Sequence, residues 1–229
     1  MLNLAVSLTF SHSMIASYLL ATQLLQPIQS ITVDGVERTF QVIVPKTKMA
    51  NRPLIFGFHG HGGGIRNASL SFALQRRWPE AVVVYMQGLP TKGMTDPEGK
   101  KRGWQQNVGE YEDRDIKFFD AVYAKVTKEN SIDKRRVFSM GHSNGGRFSF
   151  VLWEARPDLF KGFGISGSPV QFRTELKPKP MFQLTGETDP IVKPSGQYLT
   201  TERLIKTNGL DKSKAIKDGY KTTYPGQYP

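Results

Sequence analysis

Ser143 stands between Gly141 and Gly145 in the stretch VFSMGHSNGGRFSF, residues 137–150. A serine on a sharp strand-to-helix turn needs small neighbours, because side chains beside it would collide, and that turn presents the hydroxyl for attack on an acyl carbon. The surroundings suit this reading. RVFSM has the pattern of a buried strand, and FSFVLWEA that of a helix ended near Pro157. A glycine-rich structural turn is the alternative.

Attack by a hydroxyl creates an oxyanion, which needs two backbone N–H donors already aimed at it. Asn144, directly after the serine, supplies one from the start of the helix. The run His59-Gly60-His61-Gly62-Gly63-Gly64 can supply the other, because its glycines let backbone approach a substrate. Taken alone, that run would equally suit a phosphate cradle or a plain turn. His59 and His61 form an H-x-H pair, but no third ligand lies near them in the sequence, so no metal is expected. The acid that orients a catalytic base belongs at the end of a later strand. Asp189 in LTGETDPIV fits, with Glu187 as the other carboxylate of the loop and a turn aspartate before Pro190 as the structural alternative. A base must also follow, since serine is a weak nucleophile until a histidine takes its proton. The four histidines, His12, His59, His61 and His142, all precede Ser143. His142 occupies the turn position before the serine, so its side chain would have to fold back to reach it.

These groups require a frame that gathers them. At 229 residues the chain can hold one sizeable core. From residue 31, ITV, Asp34-Gly35 and VERTFQVIVP read as a β-hairpin on a tight turn. LIFGF (54–58) and AVVVYM (81–86) are continuous apolar runs typical of buried parallel strands, and ASLSFALQRRW between them reads as one crossover helix. In DRDIKFFDAVYAKVTKEN, Ile116, Phe119, Val122, Tyr123 and Val126 make one apolar helical face, and Glu112, Asp113 and Asp115 suit its N-terminus. The strands KGFGISG and PMFQLTG and the helix QYLTTERLIKTNG, with Gly209 past its end, complete the alternation. The expectation is an α/β fold, a doubly wound, mostly parallel sheet with helices on both faces, over residues 31–229 as a single domain. In such sheets reacting groups collect past the carboxyl ends of the strands, where HGHGGG, GHSNGG and GETDPIV all fall.

Composition narrows the classes. With 38% hydrophobic and 22% charged residues the chain suits a soluble globular domain. A net charge of +11 favours polyanions, yet Lys and Arg are scattered and no aromatic-interleaved nucleic-acid motif accompanies them, so no nucleic-acid partner is expected. The absence of cysteine excludes disulfides and thiolate chemistry. Residues 1–30 carry no Lys, Arg, Asp or Glu and resemble the apolar part of a signal peptide without its positive start. That slightly favours a secreted or periplasmic protein and leaves a cytoplasmic one open. The run falls short of a membrane span.

Taken in order, HGHGG, GWQQN (103–107), GHSNGG, PDLF (157–160) and GETDPIV resemble the α/β-hydrolases related to polyhydroxybutyrate depolymerases and feruloyl esterases, over about residues 31–225. The resemblance implies a serine carboxylic ester hydrolase that works through an acyl-enzyme without a cofactor, on a small-molecule or polymeric ester. Ser143 would be the nucleophile, Asp189 the triad acid, and the backbone of His61 an oxyanion donor beside that of Asn144. Trp104 would line the acyl or aromatic pocket, although a buried core tryptophan explains it equally. Histidine at position 61 stands where relatives often carry cysteine, and the missing cysteines weaken the case for secretion. The family also implies a histidine after Asp189, past the final strand. Its absence makes a fragment the expectation, lacking on the order of 30 to 60 residues with the last strand, the base and a closing helix. On that reading IKDGYKTTYP is the penultimate strand region and turnover by these residues alone is slow or absent. A non-catalytic relative that keeps the pocket as a binding site is the alternative.

Overall fold

The computed structural model describes residues 26–169 and 175–226; most of the apolar leader read over residues 1–30 lies outside them. Strand β1 (Ile28–Val33) pairs antiparallel with β2 (Val36–Ile43). Asp34 and Gly35 between them sit at φ 49° and 77°, the left-handed pair that a tight hairpin turn requires.

Five parallel strands continue the sheet: β3 (Arg52–Phe58), β4 (Val82–Met86), β7 (Ile132–His142), β8 (Gly162–Ser166) and β9 (Met181–Leu184). Between β4 and β7 the chain forms a small ribbon of β5 (Leu89–Pro90) and β6 (Arg102–Gly103). The order across the large sheet is β1-β2-β4-β3-β7-β8-β9, with β2 antiparallel to β4. The chain thus builds outward from β3 to β4 on one side and then returns to place β7 on the other. Such a reversal opens a crevice at the carboxyl ends of the two central strands, here β3 and β7 with Phe58 opposite Gly141.

Both faces of the central strands are covered, which is why their sequences are continuously apolar rather than alternating. Leu54, Phe56 and Phe58 of β3, with Val82, Val84 and Met86 of β4, join the larger core beneath helices α3 (Arg114–Glu129) and α4 (Asn144–Ala155). Ile55, Val83 and Tyr85 point the other way, toward α1 (Ile65–Phe72) and Leu74 of the short helix α2 (Leu74–Arg77). Gly57 leaves room there for Tyr85, since a Cβ on it would lie 2.6 Å from the tyrosine ring. The last helix is α5 (Pro194–Thr207), followed by Gly209 at φ 60°.

Two expectations require correction. The single crossover helix read over 68–78 is broken at Ala73, which sits at φ 47° and separates α1 from α2. The region IKDGYKTTYP adds no strand to the sheet: β10 (Ile216–Asp218) and β11 (Lys221–Thr223) form a separate hairpin whose residues are all exposed. It has too few apolar residues to be held on the core.

The acids before α3 also do more than face a helix dipole. Asp115 is fully buried and its Oδ1 accepts from Arg38 Nη2 at 2.7 Å, while its Oδ2 accepts from the backbone N–H of Gln105. Gln105 returns the bond, its Oε1 accepting from the N–H of Asp115 and Ile116. Asp113 Oδ1 accepts from Gly109 N–H and Gln105 Nε2. This network fixes residues 104–107 above the carboxyl edge of the sheet.

Candidate active site

Ser143 terminates β7 and caps α4 with φ 52° and ψ −121°, a conformation that costs a non-glycine residue strain and is retained only when its surroundings enforce it. They do. Its N–H donates to Ser166 O at 2.8 Å, and its carbonyl accepts from Arg147 N–H at 2.9 Å. A Cβ on Gly141 would lie 2.2 Å from Gly145 O, and one on Gly145 would lie 2.2 Å from Phe58 O. Both positions therefore require glycine, as expected of a nucleophile elbow.

The glycine loop after β3 packs directly on this turn. A Cβ on Gly60 would come within 3.5 Å of Ser143 Cβ and 3.2 Å of the His142 ring. The two histidines of the loop diverge. His59 points inward, 1% exposed, where its Nε2 accepts from Gly88 N–H and Gln87 Nε2. That leaves the proton on Nδ1, which donates to Gly60 O at 2.8 Å. Burial lowers its pKa to about 4, so the ring is a neutral structural strut. His61 turns to the 91–103 excursion, its Nε2 lying 3.1 Å from Asp96 Oδ2. Asp96 also accepts from Lys101 N–H at 2.7 Å, and that bond, before the contact with His61, holds its carboxyl below the usual carboxylate range. The His61 ring is confined between Gly93 and Gly103, where any Cβ would approach within 3 Å of it. The excursion therefore anchors the residue whose backbone was read as an oxyanion donor.

Asn144 starts α4 beside the serine, which places its N–H among the unbonded donors of a first helical turn. Its side chain brackets the backbone of Trp104, accepting from the N–H at 2.7 Å and donating to the carbonyl at 3.0 Å. Of the two readings of Trp104, the structure shows the buried one. Its ring is fully buried, stacked on Phe148 and edge-on to Phe58, and its indole N–H donates to His59 O at 2.9 Å. It braces the glycine loop against α4 from beneath rather than meeting a ligand.

Asp189 lies after β9. Its Oδ1 accepts from the N–H groups of Val192 and Ile191, at 2.9 and 3.0 Å, and these bonds keep its carboxyl below the usual range. Gln197 of α5, fully buried, reaches Asp189 Oδ2 at 3.4 Å while donating to Val192 O and accepting from Gly186 N–H. Gly167 separates Asp189 from His142: a Cβ there would lie 3.6 Å from Asp189 Oδ2 and 3.2 Å from His142 Cε1. The His142 ring bonds Ser166 Oγ through Nδ1 at 3.1 Å. Among the described residues no histidine is hydrogen-bonded to Ser143 Oγ. Glu187, the other carboxylate of the loop, is exposed.

A cavity of about 450 Å³ joins these parts, bordered by His61, Ser143, Asn144, Arg147, Ser168 and Ile191 among others. A second hollow, of about 590 Å³, lies around residues 44–52 and 130–131 and holds none of the candidates.

Sequence comparison agrees with this geometry. A model of the prolyl oligopeptidase family matches residues 95–172, which include the elbow. A probable feruloyl esterase C of Aspergillus flavus is 28% identical over 204 residues, covering 83% of this chain and 71% of that one. A feruloyl esterase D of Neurospora crassa is 27% identical over 194 residues, covering 79% and 64%. The chain has the α/β-hydrolase fold and is similar to esterases. Solved structures agree on the fold: a thermostable esterase superposes with a TM-score of 0.64 at 19% identity, over 79% of this chain and 52% of the other. An acetyl xylan esterase from Aspergillus awamori gives 0.63 at 15% identity, over 83% of each. This chain thus spans about half the length of the thermostable esterase. The feruloyl esterase relatives support a carboxylic ester hydrolase.

Signals missed in the sequence were those of supporting residues. Gln197, Asp96 and Ser168 carry no motif and are brought in by tertiary folding alone. Arg147, four residues after Ser143, could have been found by helical spacing.

Proposed function

We propose that the protein hydrolyses carboxylic esters through an acyl-serine intermediate on Ser143. The observation that carries this reading is the backbone of Ser143, held at φ 52° by two glycines that admit no side chain and opening on the cavity beside the Asp189 loop. Ser143 Oγ attacks the ester carbonyl carbon while a base takes its proton. The N–H groups of His61 and Asn144 hold the negative charge that forms on the carbonyl oxygen. Collapse expels the alcohol, which recovers the proton, and water then attacks the acyl-serine to release the acid and free Ser143. Asp189 orients the base.

The base is a group that the described residues do not place on the serine. His59 is locked neutral in the core, His61 is committed to Asp96, and His142 faces Ser166. Turnover of p-nitrophenyl butyrate is therefore expected to be slow, and added imidazole is expected to accelerate it by at least tenfold, because a small base can enter the cavity. Ser143→Ala should remove both the basal rate and the imidazole-dependent rate in excess of the protein-free imidazole reaction. An imidazole-dependent rate equal in the two proteins would show that the hydrolysis bypasses the serine. Saturable ester binding with no Ser143-dependent product would favour a binding protein, the reading supported by the missing contact between Ser143 Oγ and the described histidines.

A further inference from the structure

We infer that the hollow around residues 44–52 and 130–131 is an anion site that takes the phosphoryl group of a small soluble phosphomonoester, with Arg52 and Lys48 as the residues that hold it. It lies at the amino-terminal ends of the central strands, where Arg52 of β3 pairs with Ile132 of β7, and so at the edge of the sheet opposite Ser143. The inference is independent of the ester reading. Arg52 is 5% exposed, yet among the described residues its guanidinium meets only two backbone carbonyls, that of Glu80 through Nη1 at 3.0 Å and that of Thr47 through Nη2. A buried charge is costly unless an opposite charge pairs with it, and no described carboxylate does so here. The two carbonyls fix the guanidinium plane and leave its charge and its other N–H groups to a ligand. A fixed planar fork suits a phosphate.

The walls of the hollow supply the rest of such a site. Lys48 borders it without an ion pair among the described residues, and no Asp or Glu does. The acids that flank Asn130 and Ser131 in the sequence, Glu129 and Asp133, are engaged by Lys125 and Arg136. Ser131 Oγ accepts from Asn51 N–H at 3.0 Å, which leaves its own proton to donate, and Arg52 N–H on Ser131 O at 2.8 Å holds the same loop in place. Helix α3 ends at Glu129 beside the hollow, and its dipole opposes an anion with about half a charge. Two formal cations outweigh it. Two cations and a hydroxyl also match a dianion with three terminal oxygens better than they match a carboxylate, which has one charge and two oxygens. At about 590 Å³ the hollow exceeds a bare phosphate, and Val44, Pro45 and Met49 give it an apolar wall for the organic part of a monoester.

The test is an NMR titration of the full chain at low salt and pH 7.5 with phenyl phosphate, inorganic phosphate and acetate. Saturable shifts centred on residues 44–52 and 130–131 are expected, with phenyl phosphate roughly tenfold or more tighter than acetate and no weaker than inorganic phosphate. Lys48→Glu should weaken phenyl phosphate roughly tenfold or more, whereas Lys134→Glu, the same change of net charge at an exposed residue that does not border the hollow, should alter it less than about twofold. Arg52→Gln should abolish binding, and if that variant fails to fold the comparison of Lys48→Glu with Lys134→Glu decides. No saturable binding, acetate as tight as phenyl phosphate, shifts centred on the Ser143 cavity, equal losses in Lys48→Glu and Lys134→Glu, or binding that survives in folded Arg52→Gln would overturn the inference. Sedimentation with phosphatidylcholine vesicles, with and without phosphatidic acid, separates the sources of the phosphoryl group. Absence of the protein from both pellets supports a soluble ligand, whereas co-sedimentation that needs phosphatidic acid and is lost in Lys48→Glu would overturn it in favour of a lipid headgroup.

Discussion

At the scale of single residues, the site is built from conformations and bonds that tolerate little change. A methyl on Gly145 would stand 2.2 Å from Phe58 O, backbone that cannot move without shifting β3. Gly145→Ala should therefore destabilise the fold by about 3 kcal/mol or more, read as a lower urea midpoint, and a midpoint unchanged from the parent would show that the turn is not constrained as described. His59 gives a pH signature. An unfolded chain protonates this ring near pH 6.5, whereas the folded protein resists until about pH 4. Between those values the unfolded state binds more protons, so stability present above pH 6.5 is lost as pH falls toward 4, by up to about 3 kcal/mol. Denaturation midpoints at pH 7.5 and 4.5 should differ more in the parent than in His59→Gln. Equal differences would remove the buried neutral ring as the cause. The glycines and the serine were legible because their chemistry forces residue type locally. Trp104 was open to two readings because a buried and a ligand-lining tryptophan look alike until its neighbours, here Phe58, Phe148 and His59, are known.

At the scale of elements, the loops over the sheet depend on connections that cross the fold. Arg38 of β2 and Asp115 of α3 are 2% and 0% exposed, and their pair orders Gln105 and so the stretch through Asn107. Arg38→Met leaves the buried carboxylate with only the longer contact to Arg114 Nε, at 3.6 Å, and a loss of about 3 kcal/mol is expected in chemical denaturation. A loss below about 1 kcal/mol would place that carboxylate in contact with water. The sequence showed where β3, β4, β7 and β8 lie, because strands buried on both faces are short apolar runs between turn residues. It could not show that Arg38 and Asp115 meet, since they are 77 positions apart and Asp115 reads as an acid at a helix start. Ala73 was missed for a related reason. No local signal breaks the helix, and the break is stabilised from outside, by Tyr85 Oη accepting from Leu74 N–H and donating to Gln75 Oε1.

At the scale of the whole molecule, the reversal of strand order between β3 and β7 brings the glycine loop, the elbow and the Asp189 loop to one edge, and the buried network beneath holds them there. The opposite consequence falls on β9, the outermost strand, where Phe182 and Leu184 are 59% and 55% exposed. An exposed apolar edge favours pairing between copies, so Phe182→Lys should lower concentration-dependent association in sedimentation, and unchanged association would clear that edge. The central claim, that Ser143 is the group acylated, is tested most directly by mass. The protein is incubated with p-nitrophenyl butyrate and imidazole, quenched in acid and digested with trypsin. A butyryl group on Ser143 within the peptide 137–147, absent from Ser143→Ala, is the expected result. Butyrylation confined to other residues, or no adduct while hydrolysis proceeds, would contradict the mechanism.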